Sequence, residues 1–121
     1  MVNGDEVDGN GTINGPHGGQ ASFSVDAKFQ KVKKKTKLIG SFSYDDPATP
    51  ISFRSMKITS LIITGNQAHI TGTGKIGKKK GSFTLDVTDN GEPGTNDFFS
   101  LQLSNGYSAS GFLSSGNIQI H

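Results

Sequence analysis

Apolar and polar residues alternate along most of this chain with a period of two. Ala21, Phe23, Val25, Ala27 and Phe29 alternate with Ser22, Ser24, Asp26 and Lys28. Successive side chains of a strand point to opposite faces, so this pattern predicts one apolar and one polar face. Gln20 to Ile39 is the longest stretch free of Gly and Pro. Even there a helix would scatter the apolar residues around its circumference.

The alternation returns at Phe83, Leu85 and Val87, and again at Phe99, Leu101 and Leu103. Ile70 and Ile76 share a face with Gly72 and Gly74. Ile51 to Thr64 is rich in β-branched residues and holds either two strands or one long bent one. Phe42 and Tyr44 mark a further strand, stopped by Asp45-Asp46-Pro47, and Ile118 and Ile120 mark the last. Turn signals lie between these runs: Asn14-Gly15-Pro16, Gly65-Asn66, Asn90-Gly91, Pro93-Gly94, Asn105-Gly106 and Gly116-Asn117. The expected fold is all-β, an antiparallel β-sandwich or flattened barrel of eight to nine strands. Residues 1–121 form a single domain in this reading, with 1–8 as a flexible N-terminal lead. The expected core is Phe23, Val25, Phe29, Phe42, Ile62, Ile70, Phe83, Leu85, Val87, Phe99, Leu101 and Ile118.

Composition adjusts this picture in two ways. Gly makes up 17 of 121 residues, about twice ordinary usage, which fits many tight turns. There is no Cys and no Trp, so disulfides and thiol chemistry are excluded and the eight Phe supply the bulk of the core. No apolar run is long enough to cross a membrane as a helix, and the N-terminus has no signal-peptide pattern.

The glycines also repeat. Gly9-Asn10-Gly11-Thr12-Ile13 is echoed by Gly72-Thr73-Gly74-Lys75-Ile76. Ala21-Ser22-Phe23-Ser24-Val25-Asp26-Ala27 is echoed by Gly81-Ser82-Phe83-Thr84-Leu85-Asp86-Val87. An internal hairpin repeat is therefore expected, with its glycines placed for a bulge or for close approach of another backbone. This decides the reading of Glu6 to Ile13, which imitates the start of an EF-hand. The second copy has no such character, and His17 stands where a bidentate carboxylate is needed. A looser calcium site would use Asp5, Glu6, Asp8 and Asn10. Gly72 to Gly77 matches a dinucleotide fingerprint, but lysines and a strand follow where a helix N-terminus is required.

Two groups of residues remain as candidate sites. Ten of the eleven lysines fall in two clusters. Lys28, Lys31, Lys33, Lys34, Lys35 and Lys37 form one; Lys75, Lys78, Lys79 and Lys80 form the other. Such clusters suit an anionic polymer: acidic polysaccharide, teichoic acid or nucleic acid. The more ordinary reading of such clusters is solubility together with an edge strand protected against association. The aromatic interleaving of a single-strand nucleic-acid binder is missing. The second group is Asp89, Asn90, Glu92, Asn96 and Asp97, whose oxygens offer a weak calcium site or a solvated turn. Catalysis has little support: Gly106-Tyr107-Ser108-Ala109-Ser110 falls one glycine short of a nucleophile elbow, and the three His lie in no metal-ligand spacing.

The stretches GNGTING, GQASFSVDAKF, LIITGNQAHITGTGKI, DVTDNGEPGTNDFFSLQL and GNIQI cover most of the chain. In this order they resemble the post-COAP type of small all-β domain found in secreted and surface multidomain bacterial proteins. The resemblance implies an extracellular, non-catalytic accessory module with a structural or adhesive role, flanked by other domains in a longer parent chain. It implies no catalytic residues; the residues themselves suggest no cofactor other than calcium at the sites named above.

Overall fold

The computed structural model describes residues 6–15, 18–90 and 97–120, with the backbone but not the side chains of Lys31 and Val32. The period of two appears as nine strands: β1 (Glu6–Asn14), β2 (Gln20–Val32), β3 (Lys35–Asp46), β4 (Ile51–Thr64), β5 (Gln67–Ile76), β6 (Lys79–Thr88), β7 (Phe98–Leu103), β8 (Ser108–Phe112) and β9 (Ser115–Ile120). All belong to one sheet in the order β8-β7-β6-β5-β4-β3-β2-β1-β9, and every neighbouring pair is antiparallel.

The connectivity forces this sheet to curl. β8 and β9 stand at its two ends, yet only Leu113 and Ser114 separate them. Three Cα steps reach no further than about 10 Å. The two edges therefore meet in one chain segment. There Leu113 N donates to Asp97 O at 3.0 Å and Ser114 N donates to Thr12 O at 2.8 Å. A single curled sheet is the barrel-like one of the two expected forms.

Inward-facing aromatics fill the curl. Phe23 on β2 stacks on Phe99 of β7 with ring centroids 4.4 Å apart, although four strands lie between them in the sheet. Phe42 lies 5.0 Å from Phe83, and Phe53 lies 5.2 Å from Phe83. Ten of the twelve expected core residues are buried; Phe29 and Ile62 are not. Phe29 is 41% exposed. Among the described residues the pairing of β1 with β2 ends at Lys28, and that of β3 with β4 ends at Ser43. Beyond those points the described residues pair Phe29 with Leu38 alone, on an arm of two strands.

Ile62 is exposed on β4, one long strand with irregularities at Ser55/Lys57 and Ile58/Ser60. Each bulge reverses the inward-outward alternation. Phe53 faces in, the first bulge sends Lys57 out and Ile58 in, and the second returns Leu61 to the core. The two reversals cancel, so Ile62 faces outward beside the inward Leu61, opposite His69, as plain alternation from Phe53 also places it.

The lead expected over 1–8 does not hold for its last three residues. Glu6, Val7 and Asp8 belong to β1, where Val7 is fully buried between Ala27 and Ile120. Residues 1–5 lie outside the described residues.

The repeat survives in three dimensions. β1–β2 and β5–β6 are both antiparallel hairpins, each with a third antiparallel strand on its first member: β9 on β1, β4 on β5. The registers differ by two residues, with Gly11 opposite Phe23 but Gly72 opposite Phe83. The repeated glycines do one job in both copies. A Cβ on Gly11 would lie 2.2 Å from Ser115 O on β9, and one on Gly74 would lie 2.2 Å from Arg54 O on β4. Only glycine lets the third strand fold in so closely.

Candidate functional site

Because the strands alternate in direction, the connections alternate between the two ends of the curl. Residues 15, 18–19, 47–50, 77–78 and 104–107 lie at one end. Residues 33–34, 65–66, 89–90 and 97 lie at the other. Contacts within each end agree: Gly77 N bonds Ser52 O at one, and Asp89 N bonds Asn66 O at the other. The two lysine clusters are thus held apart. Lys33, Lys34, Lys35 and Lys37 surround the β2–β3 turn, while Lys75, Lys78, Lys79 and Lys80 surround the β5–β6 turn. About ten residues of strand separate the two ends, roughly 30 Å.

The first cluster is the more concentrated. It occupies the arm beyond the rim, where among the described residues β2 and β3 pair only with each other from Phe29↔Leu38 to Val32↔Lys35. Lys33, Lys34, Lys35 and Lys37 are all exposed and surround a shallow depression of about 600 Å³. Lys31 pairs through its backbone with Thr36. In the second cluster Lys75 sits directly opposite Lys80, a like-charge pair that weakens its own hairpin.

The turn of the arm is unusual. Among the described residues three hairpins have two-residue turns, and the first turn residue of each has a positive φ: 60° at Gly65, 62° at Gly77 and 59° at Lys33. Two of these positions hold glycine, which takes that conformation freely. Lysine does not. The amino-acid sequence does not announce this strained turn, since Val32-Lys33-Lys34-Lys35 contains neither Gly nor Asn.

The described ends of the acidic loop between β6 and β7 turn their carboxylates to backbone N–H groups. Asp97 is fully buried. Its Oδ1 accepts the N–H of Asn90 at 2.7 Å and its Oδ2 accepts the N–H of Ile118 at 2.8 Å. Asp89 Oδ2 accepts the N–H of Ile120 at 3.1 Å. Asn66 Nδ2 donates to Asp89 O and to Asn90 Oδ1, both at 3.1 Å. The two carboxylates hold β9 to the start and end of the loop, and the Asn66 amide holds the β4–β5 turn to its start. Glu92 and Asn96 lie outside the described residues, as do Asp5 and His17. Among the described residues no three acidic or His side chains gather as a metal group.

A polar network that the sequence pattern did not suggest lies at the other end. Asp46, expected to sit in a turn, closes β3 and is fully buried. Its Oδ1 accepts Ala48 N at 3.1 Å, and its Oδ2 accepts Thr49 Oγ1 at 2.7 Å and the Tyr107 hydroxyl at 2.6 Å. With its proton given to Asp46, Tyr107 accepts from Tyr44 at 2.7 Å. Burial pushes both phenols above their ordinary pKa, and for Tyr107 the bond to Asp46 adds to it. On the outer face His69 Nδ1 donates to Asp86 Oδ1 at 2.6 Å, beside Ile62. Both members of that pair are half exposed on an open surface.

Comparison of the chain with family models, with curated proteins and with solved structures gives no match.

Proposed function

We propose that this domain is a non-catalytic attachment module of a secreted or surface protein, and that its β2–β3 arm holds an anionic polymer. The observation that carries the reading is Lys33. It occupies a turn position where Gly65 and Gly77 serve in the sister turns, at φ 59°. A side chain kept at a strained site points to a use for that side chain. The arm around it projects past the rim and adds Lys34, Lys35 and Lys37. A row of fixed positive charge on a projecting ribbon attracts any chain of closely spaced negative charges, acidic polysaccharides included. The resemblance to accessory domains of surface proteins fits the same role.

Retention on immobilised heparin and on poly-glutamate, eluted by salt, tests the reading. Replacing Lys33, Lys34, Lys35 and Lys37 by Ser is expected to bring elution to low salt on both columns. Replacing Lys75, Lys78, Lys79 and Lys80 is expected to lower it much less. Equal losses from the two replacements would reduce the arm to general surface charge and end the proposal. Lys33→Gly alone is expected to elute earlier while raising stability by up to about 1 kcal/mol, since the strain is relieved.

A further inference from the structure

We infer that the polymer held at the arm is an extended acidic polypeptide, which adds to the free edge of β3 as a further strand; this rests on the anionic-polymer reading of the arm. The edge is defined by one hydrogen bond. Phe42 N donates to Ser55 Oγ at 2.8 Å, so the backbone of Phe42 faces β4. In a strand the peptide groups point alternately to the two sides, so Gly40, Leu38 and Thr36 carry their N–H and C=O to that same side. The ladder to β4 stops at Ser43↔Arg54. Among the described residues no strand pairs with that side of residues 36–40.

An edge of this length offers three successive pairs of donors and acceptors, which suits a segment of about six or seven residues. Lys35, Lys37 and the exposed Ile39 lie on one face of it, while Thr36 and Leu38 lie on the other. An incoming strand would place every second side chain beside Lys35 and Lys37. Glu at those positions is attracted, and β-branched residues at the alternate positions pack beside Thr36 and Leu38. A second copy of this chain is the wrong occupant. Edge-to-edge pairing of two β3 strands would bring lysine against lysine, the arrangement by which sheets repel their own kind. The lysines therefore select against self and in favour of acid.

The probe is the peptide acetyl-Glu-Val-Glu-Thr-Glu-Val-Glu-amide, with binding followed by fluorescence anisotropy. Two analogues carry N-methyl groups, one on its Val and Thr residues and one on its inner Glu residues. All three have the same charge. Only one alternate set of N–H groups can face the β3 edge, so one analogue is expected to bind about tenfold or more weakly and the other nearly unchanged. Thr36→Pro removes a donor from the open side alone and is expected to weaken the parent peptide while the melting transition persists. If both analogues bind like the parent but all three depend on Lys33 to Lys37, strand addition is wrong and simple charge attraction survives. If the Ser replacements leave peptide binding untouched, the arm reading fails, and this inference with it.

Discussion

Tyr107 donates its phenolic proton to the buried carboxylate of Asp46 across 2.6 Å, and Tyr44 donates to Tyr107 in turn. Removing the middle hydroxyl takes this link from both the Tyr44 donor and the Asp46 carboxylate. Tyr107→Phe is therefore expected to lower stability by about 1–3 kcal/mol in urea unfolding.

The same chain of hydroxyls fixes the alkaline limit of the fold. Burial raises both phenols, and the unfolded value is about 10. Above that pH the unfolded state gives up protons that the folded state retains. The stabilisation is present below about pH 10 and is lost as pH rises beyond it. Both tyrosines of the chain are in this network, so phenolate absorbance reports on nothing else. Absorbance at alkaline pH is expected to rise together with loss of the β-sheet circular dichroism. Phenolate appearing near its ordinary pH in an intact fold would contradict the network.

The repeated glycines separate close approach from mere flexibility. Gly11→Ala and Gly74→Ala each drive a methyl group to 2.2 Å from a neighbouring carbonyl oxygen. Each is expected to destabilise by about 1–3 kcal/mol or more. Gly111 lies in β8 with nothing within 4 Å of an added Cβ. Gly111→Ala is expected to be neutral or to stabilise by up to about 1 kcal/mol, through the unfolded chain. Chemical denaturation of the three variants side by side decides the matter.

β4 shows where the sequence could be read and where it could not. Alternation placed Phe23, Phe83 and Phe99 correctly because each sits in an unbroken strand. In β4 two bulges reverse the alternation twice, and nothing in Ser55-Met56-Lys57-Ile58-Thr59 announces them. The outcome makes chemical sense, since an unbulged strand continuing from Phe53 would bury Lys57. Ile58→Ala is expected to cost about 2–5 kcal/mol. Ile62→Ala and Lys57→Ala, both on the exposed face, are expected to stay within about 0.5 kcal/mol. Phe29 eluded the pattern because periodicity reports which face a side chain takes, not whether the neighbouring strands reach that far. The buried role of Asp46 was hidden likewise, because Asp-Asp-Pro has the composition of a solvated turn.

Asp97 carries the last test, on the side of the acidic loop that was read as a calcium candidate. Its two oxygens meet the N–H groups of Asn90 and Ile118 in a fully buried position. Ile118 belongs to β9, the strand that brings the far edge of the sheet to β1. Asp97→Ala takes the carboxylate acceptor from both N–H groups, at about 1–3 kcal/mol each. Asp97→Asn keeps one acceptor oxygen and is expected to cost about half as much. Since this carboxylate ties backbone to backbone, its effect on stability needs no cation. The melting temperature is accordingly expected to be the same in millimolar calcium and in chelator, for the parent chain and for both variants. A calcium-dependent rise in the parent that Asp97→Asn abolishes would reassign the loop to metal binding, with the two N–H groups as secondary partners of a ligand carboxylate.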